Sequence, residues 1–181
     1  MSASPIDAYR IVELEADEAK SRIPELADIL VDAVESGASV SFMLPFTHAE
    51  AIAYWTNVVA AVADGRTVLL VALVDNRAVG TVQLSLSVPP NQIHRADVAK
   101  LLVHRTARRQ GIARSLMVQM EQIARRRDRT LLTLDTLAES AAEQLYRSLG
   151  YVCAGTIPEY ACLPNGGLKD TLIFYKQLKP L

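Results

Sequence analysis

The stretch RRQGIAR, Arg108 to Arg114, decides how this chain is read. It follows the apolar run RADVAKLLV (95–103) and opens a segment in which Ile112, Leu116, Met120 and Ile123 lie four, four and three residues apart. That spacing is one face of a helix. A strand that runs straight into a helix leaves the N–H groups of the first turn unpaired. Together with the positive end of the helix dipole they form an anion site. Gly111 lets the backbone approach an anion closely, while Arg108, Arg109 and Arg114 add positive charge. The pattern is not GxxxxGK[ST], which occurs nowhere in the chain, nor GxGxxG, because position 113 is alanine and no acidic ribose partner is evident. Spacing alone also fits an ordinary glycine-containing helix start.

Further along, TLLTLDT (130–136) is too apolar for an edge strand. It predicts a buried strand parallel to 95–103, reached through the crossover helix. Downstream, Ser140 and Glu143 form a capping box for a short helix to Leu149, with Gly150 as its left-handed stop. Strands are expected at 151–157 and 171–178, separated by a Pro- and Gly-bearing loop over 158–170. Upstream, 9–14 alternates like an opening strand, and 18–36 reads as one helix stopped at Gly37. Thr47 and Glu50 cap a second helix that carries Ile52, Trp55, Val59 and Val62 on one face and ends at Gly65. Residues 67–74 and 78–86 form a hairpin around DNR, after which Pro89 and Pro90 take the chain out of the sheet. No repeat, low-complexity tract or linker divides the sequence. The expectation is one α/β (α+β) domain over 1–181 with a mixed sheet.

Composition narrows the function classes. Half of the 181 residues are hydrophobic and 22% are charged, a globular balance with enough length for a core. The net charge of −1 lacks the basic excess of a dedicated nucleic-acid binder. RRRDR (125–129) reads as a solvated helix end. Cys153 and Cys162 make no disulfide framework. No apolar run follows a basic N-terminus, and none reaches the roughly 18 residues of a membrane span. These features predict a soluble, reduced, cytoplasmic protein, monomeric or homodimeric, with no nucleic-acid or membrane partner. His48 and His104 have no metal-ligand spacing with any partner, so no metal is expected.

LLVHRTARRQGIARSLM, then LLTLDT, then AAEQLYRSLGY resemble, in that order, the GNAT superfamily of acetyl-CoA-dependent N-acetyltransferases. The resemblance implies a mostly antiparallel sheet of six to seven strands with a splayed parallel pair at its centre and helices on both faces. It implies acetyl-CoA as the acyl donor. The family's R/Q-x-x-G-x-G/A turn falls on Arg108, Gly111 and Ala113, and would cradle the coenzyme A pyrophosphate with N–H groups of Arg109, Gln110, Gly111, Ile112, Ala113 and Arg114. A bulge in the preceding strand would hold the pantetheine arm and acetyl carbonyl, a role that falls on Leu101, Leu102 and Val103. The Y-x-x-x-G-[FY] signature is met by Tyr146, Gly150 and Tyr151. Ser140 stands where many members place Asn beside the cofactor; it retains the cap without the Asn contact. The likeness covers 67–178, and the first 66 residues only in element order. Within the superfamily, HRADVAKLLV, LDTLAESAAEQLYRSLGY, the Gly155/Pro158/Glu159/Tyr160 segment and the NGGL turn resemble the tabtoxin-resistance type of acetyltransferase.

Acetyl transfer to an amine requires a neutral amine, a polarised carbonyl and a proton for the departing thiolate. An amine of pKa about 10.4 is neutral in only about one part in 10³ at pH 7, so a base is needed. A backbone N–H of Leu102 or Val103 is the candidate carbonyl donor. Tyr146 is the candidate acid; the alternative is a core tyrosine. Asp97, expected to share a strand face with Ala99 and Leu101, is the first candidate base, or else a carboxylate paired with Arg95 or another arginine. Asp135 ends the buried strand, where it would bind the substrate ammonium, act as base or cap the next helix. His94 lies near Asp97 and titrates in the useful range. Residues 38–50 and 158–170 are expected to line the acceptor pocket. Asp97, Asp135 and Glu159 are candidates to hold an ammonium, and Arg95 or Lys100 to face a carboxylate. The tabtoxin-type likeness implies a small polar amine acceptor and detoxification of an antibiotic or toxin. The alternatives are protein acetylation on lysine or an N-terminus, a non-catalytic acyl-CoA-binding module, and an interaction domain built on the Trp55 helix.

Overall fold

The computed structural model describes residues 9–179. Alternating and fully apolar runs build the strands β1 (Arg10–Glu13), β2 (Thr67–Val74), β3 (Arg77–Ser85), β4 (Arg95–Val103), β5 (Leu131–Leu137), β6 (Val152–Cys162) and β7 (Leu168–Gln177). They form one sheet in the order β1-β2-β3-β4-β5-β7-β6, antiparallel throughout except for the pair β4–β5. The parallel pair is therefore central. The β2–β3 turn is tight because Asp75 and Asn76 both adopt positive φ (47° and 62°), as a type I′ hairpin needs.

The helices α1 (Ala16–Ser21), α2 (Ile23–Glu35), α3 (His48–Ala63), α4 (Ile112–Arg126) and α5 (Ala141–Ser148) cover both faces. On one face Leu69, Val71 and Leu73 pack under α1–α3 around the fully buried Leu26, Leu30 and Trp55. On the other, Leu70, Val82, Leu84, Val98 and Leu134 pack against Ile112, Leu116, Met120 and Ile123 of α4 and Tyr146 of α5. Truncating a side chain such as Trp55 to alanine costs about 3–5 kcal/mol.

Three expectations are corrected. The single helix over 18–36 is two, broken at Arg22, because Pro24 sits in the first turn of α2, where a missing N–H is tolerated and a continuous helix is not. The buried face of α3 is Ala51, Trp55 and Val58, while Ile52 is exposed. Most of 158–170 is strand. β6 runs to Cys162 and β7 begins at Leu168, leaving a short turn with Gly166 and Gly167 at positive φ. Pro158 is accommodated because β6 is an edge strand, with a register break between Ile157 and Ala161 that carries Glu159 at φ 50°.

Candidate active site

The parallel pair opens where it meets the loops. β4 and β5 are in register at Arg95↔Leu131, Ala96↔Leu132 and Asp97↔Thr133, and no further. The cause lies on the other edge of β4. Ala99 faces Gln83 and Leu102 faces Thr81, so Lys100 and Leu101 together oppose the single residue Val82. Two residues against one is a bulge, which bends and twists its strand. Lys100 takes φ 51° to make it. The bend leaves the β5-side edge of residues 98–103 without a strand partner. His104 N–H reaches Val79 O on β3 (2.8 Å). By alternation the polar groups of Val103 face the opening and those of Leu102 face β3. Of the two candidate carbonyl donors, Val103 is thus the one pointing into the cleft. The Leu102 side chain is buried under α1–α3, and Leu101 packs on the α4 side.

At the end of β4 the turn 108–114 places Arg109 at φ 66° and Gly111 at φ 82°. Left-handed residues interspersed in a turn curl successive N–H groups inward as an anion-binding nest. α4 starts at Ile112 with Gly111 as its N-cap residue and no side-chain cap, so the first-turn N–H groups stay available. Around them is a cavity of about 260 Å³, lined by the turn, by Val103 and Ala107, and by Leu145 of α5. Ile112 is 2% exposed and can contribute only its backbone. Arg114 bridges to Ser148 Oγ (2.7 Å), tying α4 to α5 at the rim. Gln110 is exposed and Ala113 half-buried. The Arg108 guanidinium, at the cavity wall, is engaged by the protein itself: Nε donates to Val103 O (3.0 Å) and Nη2 to Asp32 (3.2 Å). A donor-rich nest and its cavity, beside an edge of β4 without a strand partner, fit an extended ligand with an anionic group, as coenzyme A has.

Tyr146, next along α5 from the cavity-lining Leu145, is 6% exposed and tilted against Tyr151 and Phe174. Burial, and then the charge of Asp135, raise its pKa above the ordinary tyrosine range. It therefore remains a phenol. Asp135, exposed on β5 past the last residue paired with β4, also acts on Lys100, whose pKa burial lowers and Asp135 partly restores. The bulge turns Lys100 beneath the α2–α3 loop, with Nζ 5.8 Å from the Phe42 ring centre, 5.7 Å from that of Tyr54 and 3.5 Å from Ser41 Oγ. Lys100 and Asp135 form no ion pair with any of the described residues. Ser140 caps α5 by accepting from Glu143 N (3.1 Å), but Glu143 answers at Glu139 N (2.7 Å), so the capping box is shifted by one residue.

Asp97 lies at the closed end of the splay. It is paired with Arg95 Nη1 and accepts from Thr133 Oγ1, and Arg95 also holds Gln92 (3.1 Å). It does not share a face with Leu101, because the bulge intervenes. Arg95 is correspondingly occupied. His94 is exposed in the turn before β4, where its carbonyl accepts from Thr130 (2.8 Å), at the opposite end of the strand from the nest. Asp135 thus lies within electrostatic reach of both Tyr146 and Lys100, whereas Asp97 is engaged by Arg95 and Thr133 and His94 lies at the far end of β4 from the nest. Over Lys100 lies a roof that sequence reasoning did not resolve residue by residue: Phe42 and Phe46, from the 38–50 stretch expected to line the acceptor pocket, cluster with Tyr54, and Tyr54 Oη bonds Gln83. Leu44 N donates to Pro164 O (2.8 Å), joining the two loops expected to flank the acceptor. No group of potential metal ligands occurs among the described residues. No helix there is long and apolar enough to cross a membrane.

The profile of the acetyltransferase (GNAT) domain matches residues 65–153, from the start of β2 to the start of β6. A ribosomal-protein-alanine N-acetyltransferase from Brucella melitensis superposes with a TM-score of 0.77 at 25% identity, covering 93% of this chain and 99% of that one. An N-acetyltransferase from Staphylococcus aureus Mu50 gives 0.79 at 19% identity, over 94% and 99% of the two chains. The protein yncA from Salmonella typhimurium, whose structure contains its cofactor acetyl-CoA, gives 0.77 at 18% identity, over 96% and 95%.

Proposed function

The chain belongs to the GNAT superfamily of acetyl-CoA-dependent acyltransferases, and from that premise we propose that it acetylates the primary amine of a small zwitterionic molecule. The observation that carries this reading is the pair Lys100 and Asp135, opposite charges on the two sides of the splay with no ion-pair partner among the described residues. A half-buried ammonium without a counter-charge is unfavourable, and a substrate carboxylate would relieve it. Asp135 would take the substrate's ammonium. The aromatic roof over Lys100 and the Leu44–Pro164 bond, which ties the 38–50 and 158–170 stretches together, support a compact acceptor over a polypeptide. The likeness to tabtoxin-resistance acetyltransferases makes detoxification of an amino-acid-like toxin or antibiotic the proposed role.

Bound along the nest and the β4 edge, acetyl-CoA supplies a thioester carbon for the amine to attack and a sulfur that leaves. Asp135 accepts one proton from the substrate ammonium, freeing its lone pair. Val103 N–H donates to the carbonyl oxygen as charge builds there. As the C–N bond forms and the C–S bond breaks, Tyr146 gives its proton to the sulfur and recovers the second proton shed by the acylated nitrogen. One proton is released overall. The identity with a ribosomal-protein-alanine N-acetyltransferase makes a peptide N-terminus the competing acceptor. Acetyl-CoA offered with zwitterionic amines and with lysine and N-terminal peptides decides between them. A kcat/KM for a peptide about 10-fold above every small amine, worth about 1.4 kcal/mol, overturns the small-molecule reading.

A further inference from the structure

Arg108 belongs to the turn by sequence, yet its side chain serves something else. Besides Val103 O, it reaches Asp32 Oδ2 (3.2 Å) and Ser36 Oγ (3.3 Å) at the C-terminal end of α2. Asp32 is 5% exposed near the end of α2, with Asp28, Ile29, Glu35 and Ser36 one turn away on its side of the helix. A carboxylate buried there requires a full set of donors. All of them come from one short segment: Arg105 N–H (2.9 Å), Arg105 Nε and Arg108 Nη2, with His104 Nε2 at 3.8 Å. That segment joins the end of β4 to the nest.

We propose that Asp32 is a positioning residue for acetyl-CoA: through Arg105 and Arg108 it holds segment 104–111 in its anion-accepting shape before the cofactor arrives, and Arg108 is a strut and not a phosphate ligand. The shape needs such support. Arg109 sits at φ 66°, a region non-glycine residues avoid, and such a residue persists only where its surroundings over-determine it. Released from Asp32, the segment samples other conformations, and affinity falls by the fraction of time spent away from the competent one. The inference rests on the turn being the pyrophosphate seat.

The test measures coenzyme A affinity by calorimetry, well below each variant's Tm, for Asp32→Asn, Arg108→Ala, Arg108→Lys and the double variant Asp32→Asn/Arg108→Ala, with kcat at saturating acetyl-CoA alongside. Each single change should raise Kd about 10-fold while kcat stays within about 2-fold, as expected when only the competent fraction changes. The double variant should be no weaker than about 2-fold beyond the worse single one, because both residues act through one contact. Arg108→Lys should bind as weakly as Arg108→Ala, since one ammonium cannot span Val103 O and Asp32 as the guanidinium fork does. If Arg108→Lys keeps wild-type affinity while Arg108→Ala loses it, the side chain meets phosphate by charge and the proposal is wrong. A lowered Tm with unchanged Kd in Asp32→Asn and Arg108→Ala would make the contact merely structural. Should Asp32→Asn fail to fold, the Arg108 pair decides alone. Gly111→Asp separates the premise: normal coenzyme A binding in that variant overturns the seat and the strut together, whereas lost binding there with normal binding in the other variants overturns only the strut.

Discussion

Gly111→Asp tests the cofactor seat most directly, because strain and charge can be separated at that position. Gly111 has φ 82°, and an added Cβ would meet only Tyr9 Oη, at 3.7 Å. No clash distorts the unliganded fold. The left-handed conformation costs an alanine about 1–2 kcal/mol, and aspartate tolerates it better than most residues. Unfolding entropy of about 2.1 cal/mol/K per residue gives roughly 0.4 kcal/mol/K for this chain. The strain alone therefore lowers Tm by about 3–5 °C at most. Acetyl-CoA at 100 times its Kd adds about 2.7 kcal/mol, a rise of roughly 7 °C. In Gly111→Asp the carboxylate faces the position the pyrophosphate must occupy, so the ligand-induced rise should vanish while the unliganded Tm moves little. Gly111→Ala, which carries the strain without the charge, should keep part of it. The assay is a thermal melt with and without acetyl-CoA. A rise of wild-type size in Gly111→Asp would place the cofactor elsewhere and refute the reading of the turn.

Tyr146→Phe removes a buried hydroxyl with almost no change in packing volume. It should lower kcat about 10²-fold or more with donor affinity unchanged, and normal turnover would return Tyr146 to the core. Lys100→Met should raise KM for a carboxylate-bearing acceptor while sparing KM for acetyl-CoA. Burial depresses the Lys100 pKa, so in the wild type that acceptor's KM should rise with pH before the ordinary lysine range is reached; a KM flat up to pH 10 contradicts the assignment. Deprotonation in the same window, between the folded and unfolded pKa values, should also increase stability, since the unfolded chain binds the extra proton. Asp135→Asn should reduce kcat/KM by about 10²–10⁴. Asp97→Asn, which breaks the Arg95–Thr133 cluster, should mainly lower Tm; the reverse pattern in the two variants would make Asp97 the base.

Elements governed by local periodicity and punctuation were legible. The spacing of Ile112, Leu116, Met120 and Ile123, the Thr47–Glu50 box and the hairpin turn at DNR each encode a conformation within a few residues, and each is found, with Arg77 of the turn already in β3. What failed depended on partners far along the chain. Pro158 and the glycines near 166 look like a loop in sequence. Only a place at the sheet edge, where a missing N–H faces solvent, lets β6 run through the proline. The 18–36 break was readable at Pro24, a breaker near the start of an apolar helix.

The site divides along the same line, and Lys100 shows why. Strict alternation puts residues 98, 100 and 102 on one face, which makes the lysine an anomaly among apolar neighbours. In the structure Val98 packs against the α4 side and Leu102 against the α1–α3 side, because one extra residue opposite Val82 inverts the pattern between them. The same insertion opens β4 from β5, leaves that edge without a strand partner and turns Lys100 beneath the aromatic roof. Asp97, only three residues earlier, still obeys the alternation and is spent on Arg95. The sequence puts Asp97 first for a physical reason: alternation exposes a charge within an apolar strand, whereas its pairing with Arg95 and the bulge beyond it depend on the folded neighbours. Asp135, by contrast, stands on β5 beyond the residues paired with β4 and has no ion-pair partner among the described residues.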